Sequence, residues 1–181
     1  MNNPILIIFA GPNGAGKTTY AEEFSKRFDL NFINPDILKA NNQLDKGKIF
    51  LQILHAKLNA RDSFGFETTL SGKWLSSFLK QAKNKHYEIV CFYIFVCPLK
   101  ILKYRIEERI KKGGHFVDFE IVKRRYKRSL NNFWYLYRTF FDKWELIDNT
   151  ENFKPIAKGV KNIFEVEDEF VFKKFVELVE E

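Results

Sequence analysis

The apolar run PILIIFA, Pro4 to Ala10, predicts a strand buried on both faces. Behind it, Tyr20, Phe24 and Phe28 recur at helical spacing and predict a helix from Gly16 to Phe28. A short strand, Asn31 to Asn34, ends at Pro35, and a helix follows over Lys46 to Arg61. SFGFET, Ser63 to Thr68, predicts a third strand, with TLSG as the turn into a helix from Lys73 to Lys85. EIVCFYIFV, Glu88 to Val96, is apolar almost throughout and predicts a central strand. A helix opening at Pro98 carries the stripe Leu99, Leu102, Ile106 and Ile110 and stops at Gly113-Gly114. Phe119 to Phe141 predicts one long helix with Val122, Tyr126, Leu130, Phe133 and Tyr137 along one line, and Trp144 to Ile147 a last sheet strand. The remaining Lys154 to Glu181 predicts a small hairpin and an amphipathic helix. Strands alternating with helices define an α/β fold, a mostly parallel sheet with helices on both faces.

Between the first strand and the first helix lies Gly11-Pro12-Asn13-Gly14-Ala15-Gly16-Lys17-Thr18-Thr19. Glycine, four residues, glycine, lysine and threonine make the P-loop pattern, here with a strand before it and a helix after it. Such a loop turns successive backbone N–H groups toward one centre and continues into a helix N-terminus, so it cradles phosphate oxygens. All nine residues are candidates for binding a nucleoside triphosphate, ATP or GTP. Lys17 supplies a cation for the β- and γ-phosphates, and the Thr18 hydroxyl suits a Mg²⁺ ligand.

In an open α/β sheet, ligands bind beyond the carboxyl ends of the strands. Asp36 follows the second strand there and is read as the base that takes a proton from an acceptor hydroxyl; a helix cap is the plainer role for the same residue. Glu67, Thr68 and Thr69 end the third strand and suit hydrogen bonds to a sugar or other polyol, although ordinary turn chemistry uses the same residues. A basic region holds Arg105 and Arg109 one turn apart, then Gly113-Gly114-His115, then Lys123, Arg124, Arg125, Lys127 and Arg128. Two basic helices around a diglycine make a lid over residues 105–128. Two or three of its arginines would neutralise the phosphoryl group in transfer, and His115 would contact substrate or fold the lid. A solvated charged face is the alternative.

Composition narrows the partners. The 181 residues suit one kinase-like domain, 1–181, with a C-terminal appendage at 154–181. A formal charge of +7 favours anionic partners, small metabolites and nucleic acid alike. No apolar run is long enough for a membrane span and the N-terminus does not read as a signal peptide, so the expectation is a cytoplasmic protein with no membrane partner. Cys91 and Cys97 are expected to be free thiols. Histidines and cysteines lack zinc spacing, and no hydrophobic strand ends in the aspartate that a switch GTPase or motor would carry.

GPNGAGKTT, NPD, FETTLSG, RIEERIKKGGHFV with RRYKRSLNNF, and WELIDN in this order resemble the zeta toxin family of P-loop kinases, over Ile5 to Asn149 and in its small stand-alone branch. The resemblance implies phosphoryl transfer to a small anionic acceptor such as UDP-N-acetylglucosamine or a related sugar nucleotide, and an antitoxin protein as partner. It places Lys17 at the P-loop lysine and Asp36 at the catalytic aspartate. Glu67 and Thr69 fall in the sugar-nucleotide segment, and Arg109 with one or more of Arg124, Arg125 and Arg128 on the lid. The chain departs from the family at Asp118, where proline is usual, and it is shorter than the toxins of known substrate. A nucleic-acid or nucleotide kinase, and a non-catalytic nucleotide-dependent binding protein, are the rival readings.

Overall fold

The computed structural model describes residues 3–38, 42–111, 113 and 118–180, with the backbone alone described at Asp36 and Gln43. In chain order its first half comprises β1 (Ile5–Ala10), α1 (Lys17–Phe28), β2 (Phe32–Ile33), a 3₁₀ turn (Pro35–Ile37), α2 (Gln43–Ala60), β3 (Phe64–Thr68), α3 (Leu75–Asn84) and β4 (Glu88–Phe95). The second half comprises α4 (Lys100–Lys111), α5 (Phe119–Asn131), a π-helical segment (Asn132–Tyr137), a 3₁₀ turn (Arg138–Phe140), β5 (Lys143–Asp148), β6 (Lys154–Val160), β7 (Ile163–Val166) and α6 (Glu169–Glu180).

One seven-stranded sheet runs in the order β2-β3-β1-β4-β5-β6-β7. The first five strands are parallel, and β6 and β7 add antiparallel at one edge. Side chains alternate across the pleat. Leu6, Ile8 and Ala10 of β1 join the larger core under α2, α3, α5 and α6, while Ile7 and Phe9 pack beneath α1 with Phe24, Val90 and Phe92. Helices on both faces explain why β1 and β4 read as continuous apolar runs. Most of the many aromatic residues fill this interior: Tyr93 stacks on Phe133 with centroids 4.1 Å apart, and Phe175 of α6 packs edge-on against Phe95.

Three boundaries differ from expectation. Helix α2 starts at Gln43 rather than Lys46, because the Asn42 side chain accepts from the Asp45 amide at 2.9 Å and caps it earlier. Helix α4 begins at Lys100, not at Pro98. The expected long helix over Phe119 to Phe141 is helical over nearly that whole length, but it widens into a π-helix at Asn132 and tightens into a 3₁₀ turn at Arg138. The C-terminal hairpin and helix form as expected, and Phe175 and Val179 bury the inner face of α6. Among the described residues no helix is long and apolar enough to cross a membrane.

Candidate functional site

At the carboxyl end of β1 the chain turns so sharply that only glycine fits its first position. Gly11 has φ 139°, and a Cβ there would fall 2.0 Å from the Ile94 carbonyl oxygen of β4. Its amide donates to the Thr68 carbonyl at 3.2 Å, which ties the loop to the end of β3. The loop closes on itself where the Ala15 amide donates to the Pro12 carbonyl, and the Lys17 ammonium donates to that same carbonyl at 3.0 Å. Gly16, at φ 94°, is the N-cap of α1, and no acidic residue occupies the first turn of that helix. A positive helix end is therefore set at the mouth of the loop. All nine loop residues lie together here, as the motif requires.

Two elements distant in sequence hold the loop in this shape. Asn149, nearly buried just after β5, donates from Nδ2 to the Ala15 carbonyl at 2.8 Å, and its amide donates to the Phe95 carbonyl at 2.9 Å. A Cβ on Gly16 would lie 2.4 Å from that Asn149 nitrogen and 3.2 Å from the Phe153 ring. On the other side Leu102 and Ile106 of α4 pack against Gly14, and Arg105 donates to the Thr150 carbonyl at 3.1 Å. The sequence marks Trp144 to Ile147 as a strand and WELIDN as part of the resemblance, but gives Asn149 no role. Its signal was a polar residue at the carboxyl end of a buried strand.

Glu67 occupies the most informative position. Strand β3 lies beside β1 with Glu67 opposite Phe9, so the carboxylate emerges next to the start of α1. It is 4% exposed, and its Oε2 accepts from the Thr18 hydroxyl at 2.9 Å. The sequence offered no apolar strand ending in an aspartate, yet the penultimate residue of β3 is a glutamate hydrogen-bonded to the P-loop threonine, which in P-loop proteins holds a nucleotide-bound cation. Thr68 turns its hydroxyl back to accept from the Leu70 amide, whereas Thr69 and Ser71 place their hydroxyls 2.8 Å apart. Glu67 and Thr68 thus contact the loop directly, through Thr18 and the Gly11 amide, and Thr69 follows them in the turn.

The other expected residues are placed less closely. Asp36 lies in the 3₁₀ turn just beyond β2, at the same end of the sheet. His115 lies outside the described residues. Arg109 sits one turn after Arg105 on α4. On α5, Arg125 is half-buried, while Arg124 and Arg128 are exposed and line a groove of about 670 Å³ with Leu99, Tyr126 and Leu178. Of the basic residues on α5, Arg125 is therefore the one turned toward the protein body. Among the described residues no group of three or more His, Cys, Asp or Glu side chains is arranged to hold a metal ion. Both cysteines are free thiols, and burial pushes the Cys91 thiol well above its usual range.

A parallel sheet with a glycine-rich phosphate loop between β1 and α1 defines the P-loop NTPase class, and comparison with known proteins agrees. Residues 6–133 match the AAA_33 family, described as an AAA domain, and the chain belongs to that family. An uncharacterized protein of Haemophilus influenzae is 32% identical over 128 residues, covering 66% of this chain and 91% of the relative. Among solved structures, the AvrRxo1-ORF1:ORF2 complex, also solved with ATP, aligns with TM-score 0.74 at 16% identity; it covers 96% of this chain, which spans 63% of that one. The PezAT chromosomal toxin-antitoxin system of Streptococcus pneumoniae aligns with TM-score 0.63 at 18% identity over 99% of this chain and 86% of that one. A gluconokinase from Sinorhizobium meliloti aligns with TM-score 0.54 at 13% identity, over 81% of this chain and 82% of that one. At these identities the structural likeness speaks for the fold.

Proposed function

We propose that the protein is a cytoplasmic, zeta-toxin-like phosphotransferase of the small stand-alone branch. It would move the γ-phosphoryl group of ATP or GTP to a hydroxyl of a small anionic acceptor such as a sugar nucleotide. The observation that carries this reading is the Thr18–Glu67 hydrogen bond at the mouth of the phosphate loop. A hydroxyl and a carboxylate are hard oxygen donors that fit Mg²⁺, which takes few protein ligands and completes its shell with water and phosphate. Thr18 would hold the ion and Glu67 would orient it; when bound, the ion supplies charge neutralisation between the β- and γ-phosphates.

The chain's own residues divide the remaining work. The Gly11–Thr19 loop binds phosphate through the backbone N–H groups of Asn13, Gly14 and Gly16 to Thr19 at the α1 N-terminus, since the Gly11 and Ala15 amides donate within the protein, and Lys17 exchanges its bond to the Pro12 carbonyl for the β- and γ-oxygens. Asp36 orients the acceptor hydroxyl and takes its proton. Glu67, Thr68 and Thr69 border the acceptor. Residues 105–128 would act as the lid, with Arg109, Arg125 and Arg128 as charged contacts to the transferring group and His115 as a contact to substrate. The AvrRxo1 and PezAT neighbours were solved or described with protein partners, which supports an antitoxin-like partner for this chain also.

The test is transfer from γ-labelled ATP and GTP to sugar nucleotides including UDP-N-acetylglucosamine, to nucleosides and to RNA, by wild type and Asp36→Asn. A labelled sugar nucleotide made only by wild type is expected. Label on RNA would instead establish a nucleic-acid kinase. Bound nucleotide with no labelled acceptor would leave a nucleotide-dependent binding protein.

A further inference from the structure

The helix running on from α5 changes its hydrogen-bond period at Asn132. From Asn132 to Tyr137 it is a π-helix, a rare form that concentrates at functional sites. At 3.6 residues per turn, side chains five apart in an α-helix point about 140° away from each other. Bonding from i to i+5 brings them onto one side. Asn132 and Tyr137 are five apart, and both reach the turn after β3: Asn132 Nδ2 donates to the Leu70 carbonyl at 2.6 Å, and the Tyr137 hydroxyl donates to the Gly72 carbonyl at 2.7 Å. The Tyr137 oxygen also faces the start of α3. There the Ser76 side chain and the Leu75 and Ser76 amides oppose the rise in its pKa that burial causes. Trp74, the N-cap of that helix, supplies no side-chain cap of its own.

The residue under this double hold is strained. Leu70 is buried in the left-handed region, at φ 53°, which side chains of its kind rarely enter. Such strain persists only where the surroundings over-determine it, and it collects at ligand sites. Its consequence here is local. With Leu70 turned, its amide meets the Thr68 hydroxyl at 3.2 Å, and the hydroxyls of Thr69 and Ser71 on either side of it come together. Each hydroxyl can donate and accept, so the pair matches neighbouring hydroxyls of a polyol.

We infer that the π-turn is the positioning element of the acceptor site: Asn132 and Tyr137 hold Leu70 in its left-handed conformation so that Thr69 and Ser71 present a paired-hydroxyl reader for a polyol acceptor. The inference rests on the phosphotransferase reading and assigns Asn132, Tyr137 and Ser71 to it. Both positioning residues bond to the turn after β3, at the Leu70 and Gly72 carbonyls, so acceptor binding and nucleotide binding are expected to separate on mutation.

The variants are Tyr137→Phe, Asn132→Asp, which is isosteric but offers the Leu70 carbonyl an acceptor in place of a donor, and Asn132→Gln, which keeps the donor. The first two are expected to speed amide hydrogen exchange over residues 68–73 by about tenfold. They are also expected to raise the acceptor KM about tenfold or more, with kcat and the affinity for a fluorescent ATP analogue within about twofold of wild type. Asn132→Gln is expected to return most of the KM. Wild-type transfer with acceptor KM unmoved in Tyr137→Phe and Asn132→Asp overturns the inference alone. So does nucleotide affinity falling in step with transfer, which marks a merely structural role. An inert wild type removes the phosphotransferase reading and the inference with it.

Discussion

Thr18 and Glu67 stand 49 positions apart in the chain, yet their side chains meet at 2.9 Å, the hydroxyl of the first helical turn donating to a carboxylate at the end of the neighbouring strand. The pair joins the phosphate loop to the strand that leads into the Thr69–Ser71 turn. Glu67→Gln keeps the shape and removes the charge. The apparent Mg²⁺ requirement for nucleotide binding is then expected to rise about 10–100-fold, the usual range for a residue that orients a metal ligand. Titrating Mg²⁺ against a fluorescent nucleotide in both proteins measures this; an unchanged midpoint would count against the pair as a cation site.

Asn149 makes the corresponding prediction for the loop itself. Its Nδ2 bond to the Ala15 carbonyl is buried, and removing it in Asn149→Ala leaves that carbonyl unsatisfied. A loss of about 1–3 kcal/mol in stability is expected, read from the urea midpoint. Nucleotide affinity should fall beyond what stability explains, because Gly16 next door packs on the same nitrogen.

The alkaline limit of stability follows from the buried phenols. Burial, with Glu145 nearby, pushes the Tyr20 pKa up to about 12, and burial likewise raises Tyr87, Tyr93 and Tyr137. Unfolded phenols ionise near 10, so above that pH the folded chain holds more protons than the unfolded one. Stability contributed by these groups is intact below about pH 10 and is lost as pH rises toward the folded values. Phenolate absorbance and denaturant midpoints followed together from pH 9 upward should show the slope; a flat profile to about pH 12 would contradict it.

Arg138 tests how the C-terminal hairpin is attached. Its guanidinium carbon lies 3.8 Å from the Trp134 ring centroid and 5.3 Å from that of Phe164, but its Nε and Nη1 are buried without a hydrogen-bond partner. Arg138→Ala, which loses the ring contacts, is expected to cost about 2 kcal/mol. Arg138→Met keeps the packing and sheds the buried charge, so it should fall within about 1 kcal/mol of wild type. Thermal unfolding of the two variants separates packing from charge.

Much of this architecture was legible along the chain because it depends on local signals. The apolar runs at Ile5–Ala10 and Glu88–Phe95 announced strands covered on both faces, and Gly11 to Thr19 announced the loop between strand and helix. Asn42 was overlooked because an asparagine that caps a helix and one in a polar loop look alike in sequence. The π-turn at Asn132 was invisible because the apolar line from Val122 to Tyr137 is compatible with an α-helix; what widens the helix there is not in its periodicity.

The sequence by itself determined the strand–loop–helix unit, the alternation of elements, and the residue types gathered at the carboxyl ends of the strands, since each arises from neighbours a few positions apart. Tertiary structure decided which of them meet. Glu67 faces Thr18 only because β3 takes the place beside β1, Asn149 reaches Ala15 across 134 positions, and Asn132 reaches Leu70 across 62. Those contacts follow from the order of strands in the sheet and the path of α5 and its continuation across the sheet face over β4. That order is set by how whole faces bury one another, and hydrophobic periodicity says which face is buried but not against what.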